Sequence, residues 1–222
     1  MGYDSINYDE ARTVHALVYQ GVDMLDLVGP LEMFAMIPFK YKTYLVAETL
    51  EPIISKQGII LQPSITLEEV DRTDMVLVPG GQGAGDACES GSILRWLCRV
   101  CLGAETVMSV CTGAAILARA GVLNGKAATS NKKALAWVAA HSQRVRWKRK
   151  ARWVEDGKFF TSSGITAGMD MALAVIAKQQ GVEAARETAS YAEYQWNEDP
   201  SNDLFATTPS FFQNNAVAKA FF

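Results

Sequence analysis

The stretch ETVMSVCTGAAILARAG, residues 105–121, joins a short β-branched run to a helix-forming run with one cysteine between them. Residues 105–110 have the length and composition of a buried strand, and residues 112–120 those of a helix. In doubly wound α/β sheets the ligand crevice lies beyond the carboxyl ends of the strands, so Cys111 falls where chemistry is done. A tight strand-to-helix turn crowds the residues two before and two after its apex. Ser109 and Gly113 are small enough to fit there, as in the G-x-S-x-G elbow. The helix beginning at Thr112 would aim its unpaired N–H groups at the sulfur, which predicts a lowered thiol pKa. Cysteine at an ordinary position is more often a small buried hydrophobe. The turn context favours a nucleophile instead.

Working outward, apolar runs of strand length alternate with longer segments of helical period, the pattern of a parallel α/β sheet. Strands are predicted at 13–19, 43–48, 74–80, 105–110 and 158–164, with helices at 29–37, 90–102, 112–120, 131–141, 166–180 and 182–195. Residues 51–71 read as a small β excursion punctuated by Gly58 and Pro63.

The 222 residues are about half apolar and contain no run long enough to span a bilayer. One soluble domain over 1–222 is expected, with a core at about 13–195 and a C-terminal extension at 196–222. Its last stretch, NDLFATTPSFFQNNAVAKAFF, is read as a closing helix or a surface for a partner subunit. A net charge of −3 argues against a nucleic-acid partner and for small-molecule chemistry. The polar start MGYDSINYDEAR lacks the basic and apolar regions of a secretory signal, and Ile6 stands where a myristoylation signal needs Ser or Thr. A cytoplasmic protein with four reduced thiols is the expectation.

Two further segments bear on the site. In MLDLVGPLEMF (24–34) Asp26 is flanked by Leu25, Leu27 and Val28. Desolvation would raise its pKa and leave a proton to donate, although a first-turn or turn acid is the plainer reading of such a residue. Glu32 fits the helix dipole. In VPGGQGAGD (78–86), Gly80 and Gly81 let the backbone approach a ligand and present N–H groups to developing negative charge. The spacings of a dinucleotide fingerprint and of a P-loop are absent.

VPGGQGAG, SVCTGAAILARAGVLNGKAAT and SSGITAGMDMALAVIA, preceded by LDLVGP, resemble the DJ-1/PfpI superfamily over about residues 13–195. Within it they resemble the branch containing isocyanide hydratases and the amidase-like domains of some transcription regulators. The resemblance implies a flavodoxin-like, class I glutamine amidotransferase-like α/β sandwich with a mostly parallel central sheet, usually a homodimer. It implies Cys111 as nucleophile, Asp26 as the acid bonded to it, and the N–H groups of Gly81 and Thr112 as an anion pocket. Thr112 would add its hydroxyl, and Asp170 would brace the neighbouring helix. Asn131 stands where many relatives carry a histidine, which disfavours histidine-assisted chemistry and suits a cysteine-plus-acid mechanism. The implied activity is hydration of an isocyanide to an N-substituted formamide, with neither metal nor organic cofactor. The alternatives are a glyoxalase-like enzyme acting on 2-oxoaldehydes and a sensor in which Cys111 is oxidised without turnover. A fused DNA-binding domain would favour a regulator, and the chain is read as too short beyond its core to hold one.

His15 and His141 read as ordinary core or surface residues. Cys98 and Cys101 sit mid-helix, where packing explains them better than redox or zinc chemistry. RVRWKRKARW (144–153) reads as an exposed hairpin strand rather than a nucleic-acid patch. Residues 191–205 supply aromatics and acids suited to a pocket entrance or a dimer seam.

Overall fold

The computed structural model describes residues 11–207. The first half contains β1 (Arg12–Leu17), α1 (Met24–Ala35), β2 (Tyr41–Ala47), β3 (Ile53–Ile54), β4 (Ile60–Leu61), β5 (Ile65–Thr66), β6 (Met75–Val78), α2 (Ala84–Glu89) and α3 (Gly91–Gly103). The second contains β7 (Thr106–Val110), α4 (Gly113–Arg119), β8 (Ala127–Ala128), α5 (Leu135–Ala140), β9 (Arg146–Trp147), β10 (Trp153–Asp156), β11 (Phe159–Ser162), α6 (Ala167–Gln180) and α7 (Val182–Tyr191).

Seven strands form the central sheet in the order β10-β11-β7-β6-β1-β2-β5. Every neighbouring pair is parallel except β10 with β11. The central strands β6 (MVLV) and β7 (TVMSV) are buried along their whole length, as strands covered on both faces must be. Helices α1, α6 and α7 pack together, while α2, α3 and α5 gather about α4, giving the two helical layers of a mixed α/β sandwich. The chain leaves β1 toward β2 on one side and returns at β6 on the other. A crevice therefore opens between the ends of β1 and β6, beside β7.

Several boundaries differ from the sequence expectation for local reasons. Helix α1 starts at Met24 rather than at 29, because the Asp23 carboxylate caps it by accepting the Leu25 N–H at 3.2 Å. Pro30 therefore sits inside the helix, not at its start. Helix α5 is shorter than 131–141, since residues 131–134 form the turn that enters it. Helix α7 stops at Tyr191, just before Glu193 takes a φ of 49°, which breaks the helical path. The small helix α2 had no sequence counterpart.

The 51–71 excursion is present, with β3 paired antiparallel to β4 and β5 joining the edge of the main sheet. The basic run is a correction: it is not one strand of a hairpin. Arg146–Trp147 pairs in parallel with β8, and the hairpin is β10–β11, turned at Gly157 with φ 68°. Most of the C-terminal extension, residues 208–222, lies outside the described residues. No helix among the described residues is long and apolar enough to cross a membrane.

Candidate active site

Cys111 follows β7 immediately and adopts φ 56°, the left-handed region that side chains other than glycine seldom occupy. Such strain costs of order 1–3 kcal/mol and persists where neighbours over-determine it. Here the Cys111 N–H donates to the Ser163 carbonyl at 3.1 Å, and its own carbonyl accepts the Ser130 hydroxyl at 2.6 Å. Gly113 explains the crowding beyond the apex, because a Cβ there would collide with the Val78 carbonyl oxygen and lie 2.9 Å from Pro79. Ser109 is fully buried in β7, and its hydroxyl has no hydrogen-bond partner among the described residues.

Asp26 enters from α1, in its first turn, and is fully buried. Its Oδ2 accepts the Gly80 N–H at 3.1 Å, while Oδ1 has no hydrogen-bond partner among the described residues. A Cβ on Gly80 would stand 2.6 Å from the Thr112 nitrogen and 2.8 Å from Asp26 Oδ2, so the loop after β6 passes between the acid and the elbow only as glycine. The Gly80 carbonyl accepts the Asp23 N–H at 2.9 Å and Val22 bridges Gly81, which ties the ends of β1 and β6 together. Thr112 caps α4 by position but makes no side-chain cap. Its hydroxyl instead accepts the Gly81 N–H at 3.0 Å, so one of the two donors expected for an anion pocket is engaged within the protein.

Asn131 reaches the same place. Its Oδ1 accepts the Lys133 and Ala134 N–H groups at 2.9 and 3.2 Å, which fixes the amide. Its Nδ2 lies where a Cβ on Gly164 would collide with it, beside the Cys111 thiol.

Burial, reinforced by Asp23, pushes the Asp26 carboxyl up to about 8, while the Gly80 N–H and the Cys111 side chain pull the other way. Asp26 is therefore protonated at neutral pH. Burial also pushes the Cys111 thiol up, Asp26 adds to the rise, and the Thr112 N–H and the Asn131 amide oppose it. This corrects the expectation of a lowered thiol pKa: α4 is seven residues long, and desolvation outweighs its N-terminal donors. The resting pair is a thiol beside a neutral acid.

Asp170 stands one layer away. Its Oδ2 receives Arg152 at 2.8 Å, and its Oδ1 accepts the Tyr194 hydroxyl and the Asn197 N–H, both at 2.9 Å. It braces the 194–197 segment and Arg152 and does not touch the thiol. His15 bonds Thr73 at 2.8 Å within the sheet and His141 packs edge-on against Trp137, so neither histidine serves the site. Cys98 and Cys101 are free thiols on α3. Sequence reasoning missed Tyr19, whose buried hydroxyl donates to the Pro79 carbonyl at 2.8 Å beneath the glycine loop. It also missed Lys132, Arg152 and Asp203, whose charges looked like surface residues in a basic or polar run.

The left-handed cysteine between β7 and α4, the buried acid on α1 and the glycine loop after β6 all lie within residues 12–178, which match the model of the DJ-1/PfpI family. The chain belongs to the DJ-1/PfpI family. This DJ-1/PfpI chain is 36% identical over 187 residues to isonitrile hydratase of Pseudomonas putida, covering 83% of its own length and 79% of that protein. It is 26% identical over 149 residues to the HTH-type transcriptional regulator CdhR of Pseudomonas aeruginosa, covering 65% of itself and 43% of the regulator. Among solved structures it superposes on a THiJ/PfpI family protein from Pseudomonas syringae with a TM-score of 0.75 and 30% identity, over 89% of this chain and 81% of that one.

Proposed function

We propose that this DJ-1/PfpI protein hydrates isocyanides to N-substituted formamides, with Cys111 as nucleophile and Asp26 as acid and base. The observation that carries the proposal is a left-handed elbow cysteine beside a fully buried carboxyl, whose burial raises its proton affinity. The similarity to isonitrile hydratase supports the substrate class.

The terminal carbon of an isocyanide accepts both a nucleophile and a proton, which matches a thiol beside a neutral acid. As sulfur bonds to that carbon, Asp26 delivers its proton to the same carbon and recovers the proton released by the thiol. The product is a thioimidate on Cys111. Water then adds to the thioimidate carbon, with one of its protons going to nitrogen. Collapse expels the Cys111 sulfur, which takes back the remaining proton through Asp26, and releases the formamide. The Thr112 N–H and the Asn131 amide stabilise negative charge on sulfur as it attacks and as it leaves. No step needs a histidine base, in keeping with Asn131 at the position where a histidine would otherwise stand.

Steady-state assays of the purified protein with alkyl and aryl isocyanides and with methylglyoxal test the proposal. Formamide production that disappears in Cys111→Ala is the expected result. Turnover of the oxoaldehyde alone, or hydration retained in the variant, overturns it.

A further inference from the structure

A buried ionic chain runs behind the Asn131 turn. Lys132, with its side chain only 7% exposed, stands 3.8 Å from Asp203 Oδ2 and donates to the Thr129 hydroxyl at 2.8 Å and to the Ala151 carbonyl. Asp203 Oδ1 lies 3.7 Å from Arg152, and Arg152 forms a 2.8 Å pair with Asp170 and bonds the Thr166 hydroxyl at 3.1 Å. Both carboxylates are fully buried at their side chains. Two lysine and arginine charges face two carboxylates, so the set is neutral as a whole and fragile if one member is lost.

The backbone repeats the connection. Arg152 donates its N–H to the Pro200 carbonyl at 2.8 Å and accepts the Ser163 N–H at 2.8 Å, and the Ser163 carbonyl receives the Cys111 N–H at 3.1 Å. Asp203 donates its N–H to Lys150 at 2.7 Å. On the other side Lys132 is flanked by Asn131, which stands beside the thiol, and lies two residues from Ser130, which holds the Cys111 carbonyl. The chain thus reaches both grips on the strained cysteine.

We infer that Asp203 is a positioning residue: through Lys132 and Arg152 it fixes the 129–134 turn and Ser163, which grip the Cys111 backbone, and with them the place of the Asn131 amide beside the Cys111 sulfur. The segment 194–206 is then part of the site's support. The inference rests on Cys111 as the reactive thiol and is independent of the substrate class. Loss of the Asp203 charge leaves Lys132 and Arg152 as buried like charges with one partner between them. The turn relaxes, and the amide leaves the sulfur.

The test is the pH dependence of Cys111 alkylation by iodoacetamide in the full chain, followed by mass spectrometry of the peptide containing Cys111, with thermal unfolding measured in parallel. Asp203→Asn should move the apparent pKa of alkylation upward by about half a pH unit or more and slow the reaction at pH 8 at least about threefold. Asp203→Glu should restore most of the wild-type profile. Lys132→Met, which removes one cation and leaves Arg152 to pair with Asp203, should give the same upward shift and keeps the test available if Asp203→Asn does not fold. Profiles superimposable on wild type in whichever of these variants folds, whatever their melting temperatures, overturn the inference. Because alkylation does not require turnover, failure to hydrate isocyanides leaves this result readable.

Discussion

The hydroxyl of Thr112 accepts the N–H of Gly81 at 3.0 Å, so the first residue after Cys111 closes the glycine loop from the carboxyl end of the neighbouring parallel strand. Thr112→Val keeps the shape and removes the acceptor. A part-buried N–H left without a partner costs about 1–3 kcal/mol. The variant should melt lower and lose at least about tenfold in formamide production, while Thr112→Ser stays near wild type. Equal activity of the Val and Ser variants would remove the hydroxyl from the site.

Asp26 offers a test by pH as well as by rate. Its carboxyl is raised from 3.8 to about 8, so between those values the folded chain holds a proton that the unfolded chain has released. Stability contributed by this group is complete below pH 4 and is lost as pH rises to about 8. Asp26→Asn removes that loss. Its melting temperature relative to wild type should therefore climb from pH 4 to pH 8, and its isocyanide hydration should fall by at least about a hundredfold, the typical worth of a positioned acid. A difference in melting temperature that stays constant with pH would mean that Asp26 is ionised in the folded chain.

Glycine at 113 is a steric requirement of the elbow. Gly113→Ala drives a methyl group into the Val78 carbonyl and should cost at least about 2 kcal/mol, seen as a lower urea midpoint. Gly103→Ala, where nothing lies within 4 Å of the added carbon, is the control and should be neutral or slightly stabilising. Equal midpoints for the two variants would show that the β6–α4 contact is not tight.

Asn131 joins the cap of the α5 turn to the thiol. Asn131→Ala should lose about 1 kcal/mol of stability with the two N–H bonds to Oδ1. It should also slow Cys111 alkylation, because the sulfur loses the Nδ2 donor. In that background Asp203→Asn should add little, since both changes remove the same contact. Full additivity of the two on the alkylation rate would separate Asp203 from Asn131.

The sequence by itself determined the parallel sheet and the place of the elbow cysteine. Buried parallel strands must be continuously apolar, which MVLV and TVMSV announce, and an elbow demands small neighbours, which Ser109 and Gly113 announce. Asp26 was legible as an acid among apolar residues, although its helix was read as starting later, at residue 29. Tertiary structure alone decided the proton affinities. The dipole of a helix start is visible in sequence, whereas the burial that lifts both Cys111 and Asp26 depends on what α1, β6 and β7 bring around them. The charges of Lys132, Arg152 and Asp203 lie up to 71 positions apart, and nothing local distinguishes them from solvated surface residues, whereas Asp170 was legible only through its resemblance-bearing segment. They become a buried set only because the 194–206 segment folds back over the loop at 148–152, a long-range closure that local pattern does not encode.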